Sequence, residues 1–120
     1  MSEEERIKRR EEFRTLNREF ARKNITKLTQ AFHENDDRKI RKYMLRLMGL
    51  SSAKDLEENP RKLIELYGFS KEEIIEITGS TNAKEGEEKI IKVIHEVIDD
   101  GSFARRSFGD DLLFLSLLAN

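Results

Sequence analysis

Apolar positions along this chain recur at three- and four-residue intervals, and no stretch sustains the two-residue alternation of a half-buried strand. The spacing therefore predicts helices throughout. Phe13, Leu16 and Phe20 form one stripe, in a helix over residues 3–23. Ile25, Leu28, Ala31 and Phe32 follow at a shifted phase. Either Asn24 caps a second helix there, or one long helix drifts in phase; the pattern admits both. Ile40, Tyr43, Met44 and Leu47 make the next stripe, with Asp36 or Asp37 as N-cap and Gly49 as the residue that ends the helix.

Punctuation divides the remainder. Ser51 and Ser52 suit the start of a short turn running to Leu56. Pro60 suits the first turn of a helix carrying Leu63, Ile64 and Tyr67, because its missing N–H costs nothing there; Gly68 terminates it. Ser70 and Glu73 have capping-box spacing and open a helix with Ile74, Ile75 and Ile77, closed by Gly79. After a loop over 79–82, Glu85, Glu87 and Glu88 favour a helix N-terminus. That helix is expected to bury Ile90, Ile91, Ile94, Val97 and Ile98 and to stop near Gly101. A turn over 102–108 and a last helix over 112–118, capped by Asp110 or Asp111, complete the pattern. The expected fold is all-α: a compact bundle of five to seven helices with a long basic N-terminal helix, one domain over residues 1–120.

Composition narrows the class. Apolar residues make up 37% and charged residues 39%, polar for a globular chain but too rich in Ile, Leu, Phe and Val for a disordered one. There is no cysteine, which excludes disulfides and thiolate metal sites. The start is acidic and lacks the apolar core of a signal peptide. The longest apolar stretch, 112–119, falls short of the ~20 residues that span a bilayer. A soluble, cytoplasmic protein without a membrane partner is the expectation.

Charge changes the picture more. The formal net charge of −1 hides a segregation: residues 1–50 carry 14 Lys/Arg against 9 Asp/Glu, and residues 51–120 carry 9 against 15. The basic and acidic parts either attract each other within the fold or leave the basic part for a polyanion. Arg6, Arg10, Arg14, Arg18 and Arg22 recur at every fourth position. At ~100° per residue this ridge lies roughly 130° from the Phe13–Leu16–Phe20 stripe. Each i, i+4 Arg pair disfavours an isolated helix by about 0.2–0.5 kcal/mol, so something offsets it. Glu11 and Glu19 can reach Arg14 and Arg22; phosphate is the other candidate, well matched by arginine's planar fork. Arg38, Lys39, Arg41, Lys42 and Arg46 add five basic residues within nine positions. The two sets join into one surface if their helices pack side by side. Contacts of this kind are salt-sensitive and largely indifferent to base sequence. Tyr43 lies on the apolar stripe, so base stacking is not evident in the sequence.

Catalytic patterns are thin. His33 sits near Glu34, Asp36 and Asp37 at a helix end, where a surface histidine is the default, and His95 flanks the Ile91–Ile98 face as a half-buried boundary residue. No HExxH, phosphate-loop or serine-nucleophile motif is present. The pairs Asp99-Asp100 and Asp110-Asp111 are explained by capping. No cofactor and no metal is expected. Tyr67-Gly68-Phe69-Ser70 with Gly79 resembles the approach to a helix-turn-helix. The match ends there: Ile75 occupies the small-residue position, Thr78 and Ser80 the apolar ones, and Glu85, Glu87 and Glu88 would repel phosphate. Gly68-Phe69 after one short helix, followed by an apolar last helix, is similar to a ubiquitin-associated three-helix module over about a quarter of the chain; features this common carry no residue assignment.

The segment Leu112, Leu113, Phe114, Leu115, Ser116, Leu117 and Leu118 is apolar nearly all round. It belongs either in a core or at a protein partner or homodimer surface rimmed by Arg105 and Arg106. Two functions compete. One is a non-catalytic, regulatory protein that grips DNA or RNA backbone through its basic N-terminal part. The other is a protein-interaction module, such as an adaptor, inhibitor or assembly subunit, using the apolar C-terminal segment.

Overall fold

The computed structural model describes residues 2–104, and side chains throughout that range except at positions 9, 10, 13–17 and 50. The expected last helix over 112–118, its caps and the Arg105-Arg106 rim lie outside the described residues. Within them the chain forms six α-helices and one 3-10 turn, with no strand.

Helix α1 spans Glu3–His33. At about 1.5 Å per residue it runs roughly 46 Å, close to the longest dimension of 48 Å. Asn24 does not break it. The side chain is buried and its Nδ2 donates to the Phe20 carbonyl at 2.8 Å. Thr26 and Thr29 do the same, to Arg22 and Ile25. Polar residues that favour caps when exposed are here bonded back into the preceding turn, so the helix continues. Ala21, Asn24, Leu28 and Ala31 are buried, which fixes the packed face of the C-terminal half. The helix closes at Asn35, in the left-handed region at φ 54°. There the Asp36 N–H reaches back to the Ala31 carbonyl at 3.0 Å, the six-to-one bond of a Schellman ending.

Asp36 then caps α2 (Asp37–Leu47), accepting from the Lys39 N–H at 3.2 Å. Ile40, Met44 and Leu47 are buried as their spacing predicts, and Tyr43 is half-buried. Gly49 does not terminate α2 in a left-handed conformation; the chain tightens instead into a 3-10 turn over Met48–Leu50. Met48, the C-cap residue before the glycine, is completely buried.

Ser52 caps α3 (Ala53–Glu58), and Pro60 precedes α4 (Arg61–Tyr67) as its N-cap residue rather than inside its first turn. Gly68 ends α4 at φ 64°. The capping box of Ser70 and Glu73 forms at the start of α5 (Lys71–Thr78), and Gly79 ends it at φ 66°. Asn82 caps α6 (Ala83–Asp99). Along α6 the fully enclosed residues are Gly86, Ile90, Val93, Ile94 and Val97. Val93 replaces Ile91 and Ile98 on the buried face; those two sit at its edges, half-buried.

The packing places α1 and α2 as an antiparallel pair, with α1 also lying on α5 and α6 resting on α2, α3 and α5. Leu28, Met44, Leu47, Met48, Leu56, Leu63, Ile90, Ile94 and Val97 form the core where these helices meet. No described helix is long and apolar enough to cross a membrane.

Candidate nucleic-acid interface

Helices α1 and α2 carry every basic residue that the sequence assigns to the phosphate-binding surface. Arg6, Arg18 and Arg22 are exposed along α1. Arg10 and Arg14 lie on the same helix, with side chains outside the described set. Arg38, Lys39, Arg41, Lys42 and Arg46 are all exposed on α2, opposite Ile40, Met44 and Leu47.

Their partners divide them. Lys39 lies 3.9 Å from Glu34 and 3.8 Å from Asp36, both acids of the basic part itself. Arg41 reaches across to Glu96 on α6 at 3.3 Å. Of the ion pairs between described residues, this one alone joins the basic residues of 1–50 to the acidic residues of 51–120. The acidic part pairs within itself: Arg61 with Glu87, Lys62 with Asp55, Lys89 with Glu85 and Lys92 with Glu96. Among the described residues, Glu19 and Arg22 form no pair.

Lys42 and Arg46 gather instead at an aromatic ring. Each places its charge 5.6 Å from the centroid of Tyr43, and Lys27 of α1 does the same from the facing helix. A cation over a ring at the protein surface gains only about 0.5–1 kcal/mol, and three like charges at one ring repel one another. The cluster straddles the α1–α2 seam, so it exists only when the two helices are packed. Lys27 and Tyr43 were not evident as a pair in the sequence. A hint was available in Lys23 and Lys27, one turn apart on α1 and both outside the arginine ridge.

The ridge and the cluster do not merge into one flat patch. Lys27 follows Arg22 by five residues, which turns it about 140° around the helix axis. The upper ridge therefore faces away from the α2 cations, and it is Lys27 that faces them. The side-by-side packing anticipated from the sequence is present, but it joins a different row of α1 to α2.

The histidines have structural places. His33 Nε2 lies 2.8 Å from the Glu76 carbonyl, tying the end of α1 to α5. His95 is exposed on α6 rather than half-buried, because the buried face centres on Val93, Ile94 and Val97. Among the described residues no group of three His, Asp or Glu side chains is arranged to hold a metal ion.

Compared with known proteins, the chain matches no family model, no curated protein and no solved structure.

Proposed function

We propose that this protein is a non-catalytic, nucleic-acid-associated helical protein that binds the phosphate backbone through α1 and α2. The observation that carries the reading is that, among the described residues, the cations of the basic part other than Arg41 form no ion pair with the acidic part. If the segregated charges served mainly to hold the fold together, ion pairs would cross from one part to the other. Among the described pairs only Arg41–Glu96 does. Arg18, Arg22, Arg38, Lys42 and Arg46 face solvent instead. Exposed cations on two packed helices suit phosphates, whose binding releases condensed counterions and weakens steeply with salt.

The test is fluorescence anisotropy with labelled DNA and RNA at low and near-physiological salt. Two charge-reversal variants accompany the wild type: Arg14→Glu with Arg18→Glu and Arg22→Glu, and Arg38→Glu with Lys42→Glu and Arg46→Glu. Binding is expected to fall with salt and to fall further in the variants. Their salt dependence should also be shallower, because fewer cations remain to neutralise phosphates. Absence of wild-type binding at low salt would sink the reading.

A further inference from the structure

The cluster at the α1–α2 seam combines two features that serve different ends. Lys27, Lys42 and Arg46 supply charge for phosphate. Tyr43, half-buried at the seam, supplies an aromatic ring at the same point. Duplex recognition by backbone contact can use a tyrosine hydroxyl but not its ring face, since the bases of a duplex are stacked on one another. Single strands use the face: their unstacked bases lie on aromatic side chains while neighbouring cations hold the backbone. From this juxtaposition of Tyr43 with Lys27, Lys42 and Arg46 we infer that the preferred ligand is single-stranded nucleic acid, with an unpaired base on the Tyr43 ring and its flanking phosphates on the three cations.

The geometry permits the exchange this requires. Lys42 and Arg46 are exposed, long and flexible, and no described carboxylate pairs with them or with Lys27. Their charged ends can leave the ring for phosphate oxygens, and an anion among them removes their mutual repulsion. The base then takes the place over the ring that the cations vacate. Tyr43 lies in α2 and packs, partly buried, against the core that includes Ile40, Met44 and Leu47, which holds the ring at the seam. Because Lys27 comes from α1, the site reports on the packing of the two helices.

This inference rests on the phosphate-binding reading, and its test separates the two. Wild-type protein is titrated with a labelled single strand, with the matching duplex, and with a single strand of equal length whose central residues are abasic. The abasic strand keeps its phosphates and loses its bases, so it probes stacking without altering the protein. The intact single strand is expected to bind roughly tenfold more tightly than the abasic one, the size of one base–aromatic stack. Tyr43→Leu should reduce that ratio to near one, and Tyr43→Phe should keep it. Equal affinity for the intact and abasic strands would overturn the single-strand inference while leaving backbone binding in place. No binding to any of the three at low salt would overturn both.

Discussion

Two helix seams in this molecule are built on opposite plans. Where α5 meets α6 the chain has removed side-chain bulk and satisfied its polar groups. A Cβ at Gly86 would stand 2.7 Å from Thr78 Oγ1, 2.8 Å from Ile74 Cγ2 and 3.1 Å from the Ile74 carbonyl. Thr78 donates to that same carbonyl at 2.8 Å, and its hydroxyl also meets Ser80 Oγ at 2.7 Å. Thr78 and Ser80 are both buried. Where α1 meets α2 the inner part is just as dry, with Leu28 and Met44 fully enclosed, but the outer edge holds three cations around one half-buried ring. The closed seam contributes stability. The open one leaves charge where a ligand can neutralise it.

Substitutions can test that contrast, the largest effect first. Gly86→Val forces branched bulk against Thr78, Ile74 and a backbone carbonyl. Overpacking at such a site costs about 3 kcal/mol, read as a lowered urea midpoint. Gly86→Ala should cost less, because the gain of roughly 1 kcal/mol in helix propensity partly offsets the clash.

An alkaline titration addresses a further closed contact, between α4 and the end of α2. Tyr67 donates to the Leu47 carbonyl at 2.7 Å, and burial pushes its hydroxyl from 10.0 up to about 12. The folded chain thus holds this proton over a range where the unfolded chain has lost it. The stability is complete below pH 10 and is lost as pH rises through about 12, a change of roughly 2–3 kcal/mol. Unfolding curves between pH 9 and 12 should show it in wild type, and Tyr67→Phe should flatten that part of the profile while costing about 1 kcal/mol at neutral pH.

Thr78→Val keeps the shape but deprives the buried Ser80 hydroxyl of its partner, at about 1–2 kcal/mol. The smallest effect belongs to the open seam. Lys42→Gln with Arg46→Gln should change stability by no more than about 0.5 kcal/mol, toward greater stability as repulsion at Tyr43 is relieved, while polyanion binding weakens. A large loss of stability in that double variant would mean that the cations hold the seam together and that the contrast is false.

The legible parts of the fold are those whose physics is local. Ser52 and Ser70 each accept a backbone N–H three residues on, because a short polar side chain at a helix start has few better options. Gly68 and Gly79 adopt positive φ where a side chain would strain. The stripe Ile40, Met44 and Leu47 needed only its spacing. Asn24 shows the limit. It suits the cap of a new helix, yet its back-bonding within the packed face carries α1 through it. Local preference is worth about 1 kcal/mol, and enclosing a whole side chain is worth more.

For the candidate site the division is similar. The order of residues along the chain by itself determined an all-helical fold, the charge segregation, and the exposure of the basic face of α2, because these follow from periodicity and composition. Which row of α1 meets that face was decided by the tertiary structure. The crossing of two helices depends on the summed packing of Ala21, Leu28, Ala31, Ile40, Met44 and Leu47, not on any one residue's preference. That packing turned the upper arginine ridge outward and brought Lys27 to Tyr43. A rotation of α1 by one residue, about 100°, would have assembled a different site from the same sequence.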